Sequence, residues 1–234
     1  MASQKPLVLM IAGFGDNASM YAPLLDTDLA EQLDLQPVDL PGFGAPPLKS
    51  PATLGTLGDW LANKAQATNA HVVIAHSVAS IIASLAAARS EAGIRKIVSL
   101  EGNLTAKDAY FSGRAAEHGD PQSFRDWFLP KLRARAQDDP ILSRYASEVE
   151  KADPQALWEL GCDARRVSDT QHPGEILQSS ADVTYVLNRS NCDQMSLDWL
   201  DNSGMACIEL PGASHWPTID QPEKLAEAIE SALS

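Results

Sequence analysis

Apolar positions along this chain fall into two kinds of pattern. Six short runs are almost continuously apolar: Leu7–Ala12, Leu35–Leu40, His71–His76, Lys96–Glu101, Val183–Leu187 and Ala206–Leu210. A run that is apolar at nearly every position, rather than at every second one, is what a strand needs when both faces of its sheet are covered. Helical periodicity separates several of these runs, over Gly55–Ala67, Val78–Arg89 and Pro222–Leu233. Strands that alternate with helices require crossover connections, and these build a parallel sheet. The predicted fold class is therefore α/β: a mostly parallel sheet of about six strands with helices on both faces.

The rhythm breaks between Glu101 and Val183. No strand pattern occurs there, and stretches such as "SFRDWFLPKLRARAQ" and "DPQALWELGCDARRVS" are rich in helix formers. A structureless loop of that length is improbable inside a compact domain. The predicted organisation is a core made of residues 1–102 and 181–234, with residues 103–180 inserted as a helical lid between strands. The lid aromatics Tyr110, Phe111, Phe124, Trp127 and Phe128 point to an apolar acyl or aromatic group in the pocket beneath, or to packing against the sheet.

Composition narrows the range of partners. With 18 Lys and Arg against 31 Asp and Glu, the net charge is −13. That lacks the basic footprint that nucleic acid or an anionic membrane demands, so a small-molecule substrate is the expected partner. The three cysteines, Cys162, Cys192 and Cys207, have neither the number of a disulfide framework nor the spacing of a metal site. No metal-ligand cluster and no cofactor motif is visible, so no cofactor and no metal are expected. The start, "MASQKPLVLMIAGFG", lacks the charged segment, long apolar run and cleavage site of a signal peptide. The apolar tract from Val72 to Ala88 is interrupted by His76, Ser77, Ser80 and Ser84, unlike a membrane span. The expected location is cytoplasmic.

The candidate chemistry begins at "AHSVA", Ala75–Ala79, where the third strand meets a helix. A serine on a tight strand-to-helix turn holds its hydroxyl out at the carboxyl edge of the sheet, provided the residues two before and two after are small. Alanine stands here at both positions where the G-x-S-x-G pattern has glycine. Taken alone, Ser77 is either a nucleophile or the cap of the following helix. Two other stretches favour the nucleophile. His215 follows the last strand in "ELPGASHWP", on a loop that can reach back over the sheet edge as a general base. The glycine turn "IAGFG" ends the first strand, so the backbone N–H groups of Phe14 and Val78 can face one point above Ser77 and stabilise an oxyanion.

With "MIAGFGDNASMYAPLL", "VDLPGFGAPP", "VVIAHSVAS" and "ELPGASHWPTIDQPEKLAEAI" in view, the chain resembles the α/β-hydrolase superfamily over nearly its whole length outside the lid. The usual member has eight strands. With little chain before Leu7, the resemblance implies a trimmed, six-stranded version. It also implies a helical lid after Glu101 and a Ser–His–acid triad. The acid commonly follows the strand after the lid, but there "YVLNRSNCDQMS" places Asn191 at the aspartate position, with Asp193 two residues on. Haloalkane dehalogenases instead carry a glutamate at the end of the strand before the lid, and Glu101 in "VSLEGN" stands there. Glu101 is favoured, because an acidic residue at the end of a buried strand needs a partner; Asp193 is the alternative, or else an N-cap.

The activity so implied is a serine hydrolase cleaving an ester or related acyl bond through a Ser77 acyl-enzyme. Carboxylesterase leads, with thioesterase, lactonase and C–C hydrolase as neighbours. The carboxylate nucleophile that haloalkane dehalogenases and epoxide hydrolases use is absent, since a serine holds its place. A lyase using Ser77 and His215 as an acid–base pair, or a binding protein that has lost turnover, remains open.

Overall fold

A computed structural model describes residues 5–234. The expected absence of a leader rests partly on residues 1–4, which lie outside the described residues. The sheet contains β1 (Leu7–Ile11), β2 (Asp34–Val38), β3 (Val72–His76), β4 (Lys96–Leu100), β5 (Asp182–Leu187) and β6 (Ala206–Glu209). Their order is β2-β1-β3-β4-β5-β6, and every pairing is parallel. All six expected strands are present, each within two residues of its expected bounds. The second ends earlier than expected: Leu40–Pro41 leaves the sheet to pair with Gly44–Ala45.

Alternation along each strand divides two apolar layers. Leu9 and Ile11 of β1, Val73 and Ala75 of β3, and Ile97 of β4 enter one core. Val8, Met10, Ile74, Val98 and Leu100 enter the other. This is why the strands read as continuously apolar: successive side chains point to opposite faces, and both faces are covered. The first layer is covered by α1 (Leu54–Thr68) and α2 (Ala79–Ala87). The second is covered by the short helices Ala22–Leu25 and Leu29–Gln32 and, at the chain's end, by Pro222–Leu233. The edge strands β2 and β6 are the more exposed ones.

The segment between β4 and β5 contains α3 (Pro121–Arg135), α4 (Pro140–Lys151), α5 (Pro154–Thr170) and α6 (Pro173–Ser180). The first three of these begin at Asp-Pro pairs. Asp120 accepts from Ser123 N, Asp139 from Ile141 and Leu142 N, and Asp153 from Ala156 N, while each proline occupies a first-turn position that has no hydrogen bond to lose. Phe124, Leu132, Val149 and Leu160 of these helices belong to the same continuous core as the first sheet layer. After β5 come α7 (Gln194–Ser203) and, following β6, α8 (Pro222–Leu233).

In a parallel sheet all carboxyl ends lie at one edge. The loops after β1, β3, β4, β5 and β6 therefore collect there, and the order reverses between β1 and β3, the position at which open α/β sheets bind ligands. Gly102, just past β4, fits because it lacks a side chain: a Cβ there would run into the hydroxyls of Ser80 and Ser99, which hydrogen-bond each other at 2.8 Å. Gly102→Ala is expected to destabilise the fold by roughly 1–3 kcal/mol through overpacking. Urea denaturation of the two proteins measures this, and an unchanged midpoint would contradict the close approach.

Candidate active site

Ser77 follows directly on β3 with φ +55°, the left-handed region that residues other than glycine rarely enter. Its N–H donates to the carbonyl of Leu100 at 2.9 Å, so the next strand holds the turn in place. Positive φ falls on the serine itself, whereas Ala75 and Ala79 have ordinary backbone geometry and are fully buried. Those two positions demand smallness and not glycine's conformational freedom, so alanine meets the requirement. Gly13 approaches from β1: a Cβ on it would lie 2.9 Å from His76 Nδ1 and 3.0 Å from Ser77 Cβ.

Glu101 occupies the equivalent place after β4. It too has positive φ, +44°, and its N–H donates to Val186 O at 2.9 Å. Its side chain is 6% exposed and lies beside His215, with Oε2 accepting from Nδ1–H at 2.7 Å. The other oxygen accepts from Asn188 N at 3.0 Å and Asn191 Nδ2 at 2.8 Å. Asn191 thus donates a hydrogen bond to Glu101 from the position where the resemblance implies an aspartate. A carboxylate in its place would face the carboxylate of Glu101. Asp193 is not part of this arrangement; it caps α7, accepting from Met195 N at 2.9 Å.

His215 is also held through its backbone. Its carbonyl accepts from His76 Nε2–H at 2.7 Å, and the two rings lie 4.6 Å apart. His76 has no hydrogen-bond partner at Nδ1, and it is buried. Burial, reinforced by His215 and Arg144, pushes its pKa well below the usual histidine value, so His76 stays neutral. With Nδ1 of His215 donating to Glu101, Nε2 is left to face the cavity. Ser77 and His215 both line that cavity, but no hydrogen bond joins them among the described residues. Neither the Phe14 nor the Val78 N–H is engaged by an acceptor among the described residues.

The cavity holds about 160 Å³ and is bordered by Tyr110, Phe111, Leu132, Leu142, Tyr145 and Trp216 as well as by the polar groups. Of the aromatics singled out in the inserted segment, Tyr110 and Phe111 reach it, while Phe124 is buried in the core. The inserted helix α4 is tied to the turn after β1. Tyr145 OH donates to Phe14 O at 2.6 Å, and Arg144 grips Asp16 with both terminal nitrogens at 2.8 and 2.9 Å. Trp216 Nε1, next to His215, donates to Asp16 at 3.2 Å. His76 was within reach of sequence reasoning as the neighbour of Ser77. Arg144 was not, because nothing in an amphipathic helix marks which arginine turns inward.

The cysteines lie apart from this chemistry. All three are free, and burial beside Glu101 pushes the Cys192 thiol up to about 12. Among the described residues, no group of three or more His, Cys, Asp or Glu is placed to hold a metal ion, and no helix is long and apolar enough to cross a membrane.

Two measurements test this geometry. Arg144→Leu leaves the Asp16 carboxylate, only 1% exposed, without its counter-charge. The expected cost is about 3 kcal/mol in denaturant unfolding, partly recovered when Asp16→Asn is added. His76 supplies a pH signature. Unfolded, it binds a proton below pH about 6.5, whereas folded it resists protonation until much lower pH, so its contribution to stability is whole above 6.5 and is lost as pH falls below it. His76→Gln, whose amide can still donate to the His215 carbonyl, is expected to flatten the fall in unfolding free energy below pH 6.5 by up to about 1.4 kcal/mol per pH unit. Equal slopes in the two proteins would refute the buried neutral imidazole.

Known proteins share this arrangement of chain. The Cellvibrio japonicus biotin biosynthesis bifunctional protein BioHC is 24% identical over 97% of the chain, and the chain spans about half, 47%, of that protein's length. A thermophilic esterase from Thermogutta terrifontis superposes with a TM-score of 0.76 at 16% identity, covering 99% of this chain and 90% of its own. A hydrolase from Pseudomonas aeruginosa PA01 superposes with a TM-score of 0.74 at 20% identity, covering 100% of this chain and 91% of its own. The model of the alpha/beta hydrolase family matches residues 8–228, and the chain belongs to that family.

Proposed function

We propose that the protein is a serine hydrolase that cleaves an ester or related acyl bond of a small, partly apolar substrate. The observation that carries this reading is the 2.7 Å hydrogen bond from His215 Nδ1 to the nearly buried Glu101, which leaves Nε2 available in the cavity that Ser77 also lines from its strained turn. Nε2 takes the proton from Ser77 Oγ as Oγ attacks the acyl carbon. The oxyanion that forms is held by the N–H groups of Phe14 and Val78. His215 then returns the proton to the leaving alcohol, and the C–O bond to it breaks. Water, deprotonated by the same nitrogen, attacks the acyl-enzyme and frees the acid and Ser77. Glu101 fixes the tautomer of His215 and stabilises its imidazolium. This role does not require a standing hydrogen bond between Ser77 and His215, since catalytic hydrogen bonds often tighten only when substrate is bound. The helices from α3 to α5 act as the lid that excludes water from the cavity.

The test is intact mass after exposure to a fluorophosphonate. Wild type is expected to gain one adduct, absent from Ser77→Ala and at least about 10³-fold slower in His215→Ala. Glu101→Gln is expected to slow labelling by orders of magnitude, and Asp193→Asn to leave it within about twofold. A folded wild type that gains no adduct, together with failure to hydrolyse p-nitrophenyl acetate, would sink the nucleophile and favour a lyase or a binding protein on the same fold.

A further inference from the structure

Beside the catalytic cavity runs a second hollow, a trough of about 410 Å³ along α3. The two share Tyr110, Phe111, Leu132 and Arg135, so the trough adjoins the cavity that Ser77 borders. Its floor is aromatic. Phe128 meets Phe111 edge-on at 4.8 Å between ring centres and stacks on Trp127 with the planes 14° apart. Its walls are cationic: Arg114 and Lys131 lie 5.2 and 5.1 Å from the centre of the Trp127 ring, and Arg135 stands where the trough meets the cavity.

This concentration of positive charge is out of keeping with a chain of net charge −13. Basic residues in the last turn of a helix are ordinary, because they complement its dipole. Arg133 and Arg135 both stand in the last turn of α3 and fit that account, and Arg133 also pairs with Glu150 on α4. Arg114 pairs with Glu117 at 2.9 Å. Lys131 and Arg135 form no ion pair among the described residues. Asp108 on the cavity wall is turned to other partners: it accepts from the Leu104 and Thr105 N–H groups and from Ser196 Oγ, each at 2.8 Å. Lys131, over the Trp127 ring, and Arg135, which lines both the trough and the cavity of Ser77, carry no counter-charge within ion-pair distance among the described residues and form a site for an anion. The Arg135 guanidinium suits a carboxylate, which it can grip with two parallel N–H bonds.

We propose that the trough is a substrate subsite for a carboxylate, so that the natural substrate is an ester or related acyl compound with a carboxylate at the end remote from the bond that is cleaved. The apolar part lies along Phe111, Leu132 and Phe128, and the carboxylate is held by Arg135 and Lys131. This substrate class rests on the Ser77 hydrolase reading, but the subsite can be measured without turnover.

The measurement is calorimetric titration of the Ser77→Ala protein at low salt with monomethyl half-esters of straight-chain dicarboxylic acids, from succinate through sebacate, each compared with its dimethyl ester. At one chain length or more the half-ester is expected to bind about tenfold tighter than the diester, with the preference shrinking as salt is added. Adding Arg135→Gln and Lys131→Gln together is expected to abolish the preference. Equal binding of half-ester and diester, no binding of any half-ester, or a preference that survives the double substitution would each overturn the subsite. If half-esters bind as expected but wild type hydrolyses no ester, the subsite stands and the hydrolase reading falls. If neutral esters are hydrolysed and half-esters have no advantage, the reverse holds.

Discussion

Two backbone hydrogen bonds at the carboxyl edge of the sheet hold the site. Ser77 N–H donates to Leu100 O and Glu101 N–H donates to Val186 O, both at 2.9 Å. Each continues the parallel ladder one residue beyond its strand. Each therefore binds a residue that must already be turning away into a loop or helix, and both residues adopt positive φ to do so. Such a conformation costs of order 1–3 kcal/mol for a residue other than glycine and persists only where its surroundings enforce it. Here the enforcing surroundings are neighbouring strands, so the serine and the glutamate are fixed relative to each other by the 4.7–4.9 Å strand spacing of the sheet. His215 comes from a flexible kind of element, a loop, but its position is set from two sides. Glu101 takes the Nδ1 proton, and His76 holds the carbonyl.

The inserted helices are bound to that same edge. Arg144 and Tyr145, adjacent on α4, reach Asp16 and the Phe14 carbonyl in the turn after β1. Asp16 also receives the indole N–H of Trp216, the neighbour of His215. One buried carboxylate therefore ties together the turn that contains Phe14, the loop that carries the histidine, and a helix of the insertion. Its burial makes the arrangement brittle: breaking a buried pair by removing one partner leaves an uncompensated charge in a poor solvent for it. The inserted helices share one continuous core with the sheet.

Much of this was legible in the chain. Continuous apolarity over short runs specifies buried parallel strands, because alternate side chains enter two different cores, and helices between the strands then force the crossover topology. A serine at a strand–helix seam and a histidine after the last strand are likewise local patterns, and the structure brings both to one cavity. Glu101 and Asp193 were both eligible by sequence, since each is an acid beside a strand or helix end. Folding separated them: β4 and the 210–216 loop meet at the sheet edge, whereas Asp193 is spent on the first turn of α7.

What the sequence determined by itself is whatever depends on neighbours a few residues apart: periodicity, turn chemistry and the smallness of Ala75 and Ala79 around Ser77. What only the tertiary structure decided depends on groups far apart in the chain. The hydrogen bond between Glu101 and His215 spans 114 residues, and the grip of Arg144 spans 128 to Asp16. The basic character of the trough along α3 belongs here too, because average composition is strongly acidic and only packing shows which cations keep a counter-ion and which are left open to a ligand. Charge pairing at long range is a matter of which surfaces meet, and no local pattern encodes it.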